Sequence, residues 1–282
     1  MKFQLHQERA MFWCDRSLGN LELLRATYVD HSFSRHTHEG YAIGIIEAGI
    51  EGFRYQGANH FAPPSSIIIV HPGEVHTGYA VTKSGWTYRM FYPETQILQQ
   101  SASELADRFQ PLPYFPHPVI QDIQLAAQLR HLHLRLENSA SKLEKESLLI
   151  WTFAQLVSKY AQAPPPIKFI SSEATAVRLT QEYLLANYAK NISLEQLSHL
   201  VNLKPLRLLR VFRKALGLPP HAYLLQVRII EAKKLLAIGM SIVDVAVETG
   251  FSDQSHLHRH FKRIVVVTPG QYVKGFNYKV IA

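Results

Sequence analysis

The sequence predicts an α+β chain of several domains: a β-rich region, then helices, then a region that is helical throughout. Up to Tyr92, short runs rich in Ile, Val, Tyr and Phe alternate with Gly and Pro clusters, a spacing typical of an antiparallel sandwich or barrel. Beyond Pro166 the apolar spacing becomes helical, and one motif occurs twice. With 47% hydrophobic and 18% charged residues, the chain can bury cores of this kind.

The charge is unevenly distributed. Residues 176–282 contain 15 Lys and Arg against 6 Asp and Glu, whereas residues 1–175 contain 15 against 16. The positive excess therefore favours a polyanionic partner for the last part alone. A single cysteine, Cys14, excludes an intramolecular disulfide framework and is typical of a reducing compartment. The N-terminal residues form no apolar signal region and no apolar run approaches membrane length, so we expect a cytoplasmic protein with no membrane partner.

The elements of the first two segments follow from these patterns. In residues 1–92 we expect an antiparallel β-barrel, and its clearest strands are at 43–46, 52–55, 67–70 and 86–92. Residues 93–162 are expected to be connecting or dimerisation helices, at about 118–138 and 141–161. The second helix opens with the capping-box spacing of Ser141 and Glu144. Its apolar stripe fits either a core or a dimer face, and the sequence leaves both open.

A proline cluster separates these segments from the basic part. Ala163-Pro164-Pro165-Pro166 stops the preceding helix and favours an extended spacer. We therefore expect a linker over residues 163–175, with the domain boundary at Pro164–Pro166, and a separate all-α domain over residues 176–282.

The basic part repeats itself. Phe212-Arg213-Lys214 recurs as Phe261-Lys262-Arg263, at an offset of 49 residues. Each copy predicts a helix, a tight turn and a second helix. In the first copy we expect helices at 194–201 and about 204–216, with Ser193 as the cap and Asn202 in the turn. In the second copy Ser241 opens the first helix, Gly250 turns, and Ser252 caps a helix from 253 to about 265.

A helix-turn-helix unit places its second helix in the major groove of DNA, where side chains read base edges. Basic and polar residues alternate with apolar ones on both second helices, and we expect the polar set, including His256, to face outward. Two solvated helical hairpins are the alternative, but repetition and local charge together favour duplex DNA.

The repeat resembles the C-terminal part of the AraC/XylS-type transcriptional regulators. The string GFSDQSHLHRHFKR with the following TPGQY (Gly250 to Arg263, Thr268 to Tyr272) and the stretch from Ile192 to Leu224 carry this resemblance, which covers residues 176 to 275. It implies two helix-turn-helix units, joined by a rigid helix at about 222–236, in successive major grooves. By position it implies base contacts for Leu206, Arg207, Leu209 and Arg210 in the first unit and for Gln254, Ser255, His258 and Arg259 in the second. Phosphate contacts are expected for Lys204 and Lys262.

The two copies differ where the second helix ends. Gly217 stands at the expected left-handed C-cap of the first copy, whereas Val266 stands there in the second. Either the second helix ends differently, or a β-branched residue is held at positive φ.

The β-rich segment carries two histidine clusters. In Arg35-His36-Thr37-His38-Glu39, two histidines at i and i+2 on a strand would share a face. His76 follows the Pro72-Gly73 turn and is expected to meet them. Three neutral imidazoles suit zinc, nickel or iron.

This pattern resembles the cupin β-barrel over residues 20 to 92, whose motifs supply His-x-His and Pro-Gly-x-x-His. Metal-binding cupins add a glutamate after the second histidine, but Ala42 and Ile43 occupy that place here. AraC-type regulators commonly carry a sensor barrel of this kind, so we expect effector sensing without a cofactor. The alternatives are a metal-dependent enzyme with a basic DNA-binding tail, using His36, His38 and His76 as ligands, and histidines with only a structural role.

The sequence therefore predicts a non-enzymatic, ligand-responsive, sequence-specific transcriptional regulator, and by family resemblance an activator. The expected partners are double-stranded promoter DNA, a small-molecule effector, RNA polymerase and a second copy in a homodimer. Arg89 is a candidate partner for an effector carboxylate. The complete set of candidate effector ligands is His36, His38, Tyr41, Tyr55, His76, Trp86 and Arg89.

Overall fold

The computed structural model describes residues 8–138, 140–162 and 173–277. These residues divide into two compact units. Unit 1 is drawn from Met1–Asn138 and Leu148–Phe169, and unit 2 from Ser139–Ser147 and Ile170–Ala282. The expected boundary at Pro164–Pro166 and most of the expected linker lie outside the described residues.

Unit 1 is built around ten strands in the described part of the chain. They are β1 (Arg9–Asp15), β2 (Leu21–Tyr28), β3 (Ser32–His36), β4 (Ala42–Gly49), β5 (Glu51–Tyr55), β6 (Ala58–Ala62), β7 (Ile67–Val70), β8 (His76–Ala80), β9 (Trp86–Tyr92) and β10 (Val119–Ile120). A single 3-10 turn, Arg16–Leu18, lies between β1 and β2. The first three helices are α1 (Thr95–Ala106), α2 (Ile123–Glu137) and α3 (Lys142–Tyr160).

The strands form two antiparallel sheets that enclose one core. One sheet has the order β1-β2-β9-β4-β7-β10 and the other β3-β8-β5-β6. Alternate residues of both sheets, among them Phe53, Ile68 and Trp86, meet in a buried cluster. Burial of such side chains is the main free-energy gain of a sandwich. The predicted antiparallel fold is thus confirmed, in the form of a two-sheet sandwich.

Two features of the connecting segment were not predicted. Helix α1 precedes the expected helices, and the helix expected from 118 begins only at Ile123. The reason is tertiary: Val119 and Ile120 pair with Ile68 and Ile67 and so extend the first sheet. Asp122 then caps α2 by accepting the Leu125 N–H at 2.9 Å.

Unit 2 is helical in its described residues. Its helices after α3 are α4 (Ala174–Ala186), α5 (Leu194–Val201), α6 (Pro205–Leu216), α7 (Pro220–Ala237), α8 (Ile242–Glu248), α9 (Gln254–Val265) and α10 (Pro269–Asn277). No helix in the described ranges is long and apolar enough to cross a membrane.

The two helix-turn-helix units form as the sequence predicts. Ser193 accepts the Gln196 N–H at 3.1 Å, and the Gln196 side chain accepts the Ser193 N–H at 2.9 Å, which completes a capping box. Asn202 adopts φ 50° at the end of α5. Gly250 adopts φ 74° in the second turn, where a Cβ would lie 2.5 Å from the Ala189 carbonyl oxygen, so only glycine fits. One expectation was wrong: Asp253, not Ser252, caps α9, because its carboxylate accepts the His256 N–H at 2.7 Å.

Val266 takes the left-handed conformation that its position in the repeat requires. Its φ is 73°, close to the 75° of Gly217 in the first copy, and its N–H donates to the Lys262 carbonyl just as that of Gly217 donates to Arg213. A β-branched residue is strained in this conformation. The side chain is 79% exposed, so it gains little burial in return.

We predict that Val266→Gly stabilises α9 by about 1 kcal/mol, because glycine adopts positive φ without steric cost. Slower hydrogen exchange of the α9 amides in the full chain measures this. Gly217→Val is the matched control, since a Cβ there meets nothing within 4 Å and only the backbone strain is added. It should speed exchange in α6. A Val266→Gly variant with unchanged or faster exchange would show that the conformation carries no strain.

Candidate functional site

Helix α9 presents a continuous polar face to solvent. Its exposed polar positions are Gln254, Ser255, His258, Arg259, Lys262 and Arg263. Leu257 and Phe261 on the opposite side are fully buried against α7 and α8. His256 is also buried, at 4% exposure, which corrects the expectation that it faces outward. All four candidate base-contacting residues of this helix and the candidate phosphate ligand are therefore accessible together.

Helix α6 is arranged differently. Lys204 is exposed, and Arg207 and Arg210 are partly exposed. Leu206 and Leu209, however, are 2% and 1% exposed, so in this conformation they cannot contact bases. The base-facing role inferred for these two leucines by position is wrong here, because burial of an apolar side chain is favoured over its exposure at a polar surface.

The guanidinium of Arg207 forms an ion pair with a carboxylate. Its Nε and Nη2 atoms both donate to Glu173 Oε1, at 2.8 and 2.5 Å. Glu173 directly precedes α4, and its side chain is only 17% exposed. Its second oxygen, Oε2, is buried and has no hydrogen-bond partner among the described residues.

In unit 1, the three predicted histidines come together. His36 ends β3, His38 follows it, and His76 begins β8 opposite His36. Their ligand atoms all lie within 4.8 Å of one another. The Gly73 N–H donates to the His38 carbonyl at 2.8 Å, which holds the segment after β3 against the turn before β8.

Backbone hydrogen bonds fix two of the imidazole tautomers. His36 Nδ1 lies 2.8 Å from the Ser34 carbonyl oxygen, and His76 Nδ1 lies 3.1 Å from that of Glu74. A carbonyl only accepts, so both Nδ1 atoms carry a proton, and the lone pair of each neutral ring lies on Nε2. Burial, followed by the neighbouring His76 and His36, lowers the pKa of His38 to about 4. His38 is therefore neutral at pH 7, and burial also lowers the pKa of His76, so these two imidazoles can offer lone pairs to a ligand.

The histidines line one end of a cavity of about 200 Å³ between the two sheets. Glu51, the first residue of β5, lines the same cavity and is 5% exposed. A Cβ at Gly78 would lie 3.1 Å from Glu51 Oε1, so the glycine leaves room for the carboxyl. The remaining lining is mainly apolar and aromatic: Phe33, Ala42, Phe53, Ile68, Val70, Thr77, Tyr88, Met90 and Tyr92.

Sequence reasoning missed Glu51 and the aromatic lining. Tyr88, Met90 and Tyr92 follow one another at i, i+2 and i+4 on β9 and so share a face. This alternate spacing of Tyr88, Met90 and Tyr92 can be recognised in the sequence. An acidic residue in a strand whose other residues on the same face, Phe53 and Tyr55, are aromatic was the available signal for Glu51.

Three aromatic candidates lie outside this lining. The Tyr41 hydroxyl donates to the Pro113 carbonyl at 2.7 Å. Trp86 is part of the core between the sheets. Tyr55 lines a separate, open groove of about 410 Å³, and its hydroxyl lies 2.6 Å from His71 Nδ1. His71 Nε2 accepts the Phe115 N–H at 2.8 Å, so this pair anchors the segment after α1 to the sheet.

Arg89 is also a structural residue. Its side chain is 2% exposed and donates to Glu47 at 2.9 Å and to Glu137 at 2.7 Å. It also lies 3.0 Å from His133 Nδ1. A carboxylate ligand would have to break this buried network, which joins β9 to α2, so the expected effector contact is wrong for this conformation.

The residues present fit part of a cupin metal site. Three imidazoles with available Nε2 or equivalent lone pairs suit a divalent transition metal. Ala42 and Ile43, at the place of the cupin carboxylate, are buried and apolar. The donor set is thus three histidines.

Comparisons with known proteins define the class. Residues 18–153 match the model of the AraC-like ligand binding domain, and residues 197–275 match that of a helix-turn-helix domain. The chain is thus a DNA-binding transcriptional regulator with a ligand-binding domain ahead of its helix-turn-helix domain.

The uncharacterized HTH-type transcriptional regulator YbfI of Bacillus subtilis (strain 168) is 32% identical over 241 residues, which cover 84% of this chain and 86% of YbfI. This chain belongs to the AraC family of transcriptional regulators. The HTH-type transcriptional activator RhaS of Enterobacter sp. (strain 638) is 22% identical over 249 residues, 86% of this chain and 88% of its own. A crystal structure of ToxT from Vibrio cholerae is 14% identical, with a TM-score of 0.37 over 95% of this chain and 97% of that one. Because the family is not enzymatic, the alternative of a metal-dependent enzyme is wrong.

Glu51 predicts a specific pH dependence of stability. Burial raises the pKa of its carboxyl from 4.5 to about 8. Between these values the folded chain keeps a proton that the unfolded chain has lost, so the free energy of unfolding should fall as pH rises through this window. Glu51→Gln should reduce this decrease in the free energy of unfolding, by a few kcal/mol at most. Glu39→Gln, at an exposed site, should leave the decrease unchanged. Urea unfolding from pH 5 to 9 measures the difference, and equal slopes for wild type and Glu51→Gln would contradict the burial of this acid.

Proposed function

We propose that this regulator binds a small effector in the histidine-lined cavity of unit 1 and that the effector changes promoter binding by unit 2. The observation that carries the DNA-binding part is the exposed face of α9, where Gln254, Ser255, His258 and Arg259 lie beside Lys262. Residues of this kind form bidentate contacts to base edges and ion pairs to phosphates.

The cavity supports the sensing half. It lies between the sheets, its walls are mostly apolar, and a few convergent polar groups could orient a ligand. His36, His38 and His76 are the proposed polar contacts at one end. The same three residues would hold a divalent transition metal, which would supply a Lewis-acidic contact for an effector oxygen.

The two helix-turn-helix units lie in one chain, so one protomer would contact two successive major grooves, about 34 Å apart. We propose that the protein acts as a homodimer on two such sites, arranged as direct repeats. We also propose that it activates transcription through RNA polymerase. Among its relatives, RhaS and the lactose operon transcription activator of Staphylococcus xylosus are named as activators.

Selection of genomic DNA fragments bound by the full chain, with and without candidate metabolites, tests the proposal. Enrichment of a few promoter fragments, altered by a metabolite, is the expected result. Uniform enrichment of all sequences would contradict sequence-specific binding. Specific enrichment that no metabolite alters would contradict only the sensing half.

On a selected operator, Arg259→Ala should relax base preference at one position and cost about 1–3 kcal/mol of binding. Lys262→Ala, on the same exposed face, should weaken all sequences alike and reduce the salt slope of binding by about one unit. Fluorescence anisotropy at several salt concentrations, on operator variants, separates the two effects. Equal weakening on every sequence by Arg259→Ala would exclude a base contact.

A further inference from the structure

Glu51 is the exception among the buried charged groups of unit 1. Its Oε2 atom has no hydrogen-bond partner among the described residues. Arg89, which is similarly buried, has two carboxylate partners. An unpaired carboxyl inside a protein costs free energy, so its presence facing a cavity points to a partner that arrives with a ligand.

The cavity indicates the charge of that ligand. Neither Lys nor Arg occurs among its lining residues, so no described side chain there can neutralise a Glu51 carboxylate. The rings of Phe33, Tyr88 and Tyr92 form part of its walls. Aromatic faces attract cations through their quadrupole, and such an attraction strengthens where water is excluded.

The volume limits ligand size. At about 200 Å³ the cavity is smaller than the pockets that enclose drug-sized molecules. His38 and His76 at the other end present lone pairs, so they would accept hydrogen bonds from a ligand or bind an electrophilic group. The cavity thus combines one acid, aromatic walls and several acceptors.

We propose that the effector is a small organic amine whose cationic nitrogen pairs with Glu51 and contacts the aromatic walls. This rests on the proposed function, in which the cavity is the effector site. Because burial holds a proton on the empty carboxyl, pairing with an ammonium group would release that proton to solvent.

Isothermal titration of the full, EDTA-treated chain tests the proposal with n-butylamine, benzylamine and choline as probes and with n-butanol and benzyl alcohol as uncharged controls. We expect at least one amine to bind tenfold or more tightly than the matched alcohol. Titration in two buffers of different ionisation enthalpy should show proton release at pH 7. Glu51→Gln should weaken amine binding at least tenfold, whereas Glu39→Gln, which removes an exposed carboxylate beside His38, should not.

The proposal is overturned if every amine fails to bind, if alcohols bind equally well, or if Glu51→Gln binds amines as wild type does. If Glu51→Gln does not fold, the proposal is still tested by the wild-type chain, through the difference in affinity between amines and matched alcohols and through proton release. A neutral metabolite that alters operator binding while all amines fail would overturn the amine but leave the proposed function intact.

A second, independent observation concerns DNA binding. We propose that Glu173 holds Arg207 in the DNA-free protein and competes with DNA for this arginine. Both hydrogen bonds from Arg207 go to one oxygen of Glu173. The acceptor atoms of a base edge or of a DNA phosphate could accept from the same two N–H groups, so a DNA contact by Arg207 requires its release from Glu173. In the second helix-turn-helix unit, by contrast, the polar residues of α9 are exposed to solvent.

Glu173→Gln should raise affinity for a selected operator threefold to tenfold at moderate salt. Glu182→Gln is the matched control, because it removes a carboxylate of the same unit that pairs with Arg178 on the exposed surface of α4. It should change affinity less than twofold. In an Arg207→Ala background the effect of Glu173→Gln should disappear. Equal effects of the two glutamine variants, or an effect that persists without Arg207, would overturn competition for Arg207.

Discussion

Each unit depends on a buried guanidinium whose donors are satisfied. In unit 1, Arg89 joins β9 to α2 through Glu47 and Glu137. In unit 2, Arg228 of α7 donates to the carbonyls of Tyr188 and Lys190, at 2.8 and 2.9 Å, and so fixes the connection between α4 and α5. Removing one partner of a buried charge typically costs 3–5 kcal/mol, so these networks hold the elements that carry the cavity and the recognition helices.

In the cavity of unit 1, by contrast, a buried ionisable side chain is incompletely paired by the protein. The sandwich core closes around apolar side chains, but between the sheets it leaves a histidine cluster at one end and the Glu51 carboxyl. The backbone carbonyls of Ser34 and Glu74 orient two of the imidazoles, which shows that the cluster is preorganised. A site with its polar groups held in place and incompletely paired is suited to recognise a small ligand by charge and hydrogen bonding.

The two copies of the repeat share a sequence motif but lie in different local environments. In both copies a serine caps the first helix, and both second helices end in the left-handed conformation, even where Val266 must adopt it. Their surfaces differ, because α9 leaves its polar residues exposed, whereas α6 buries Leu206 and Leu209. Arg207 is in addition paired with a carboxylate that lies 34 positions earlier in the chain. Local signals therefore specify the helices, and distant residues set their accessibility.

The sequence alone determined the antiparallel sandwich, the two helix-turn-helix units with the serine caps of their first helices, most of the exposed face of α9 and the meeting of His36, His38 and His76. These follow from short-range rules: hydrophobic period, capping chemistry and strand alternation. Only the tertiary structure decided that Arg89 is structural, that Glu51 faces the cavity without a partner, and that Leu206 and Leu209 are buried. Each of these depends on which side chains from distant segments share a low-dielectric interior, and that pairing leaves no periodic trace in the sequence.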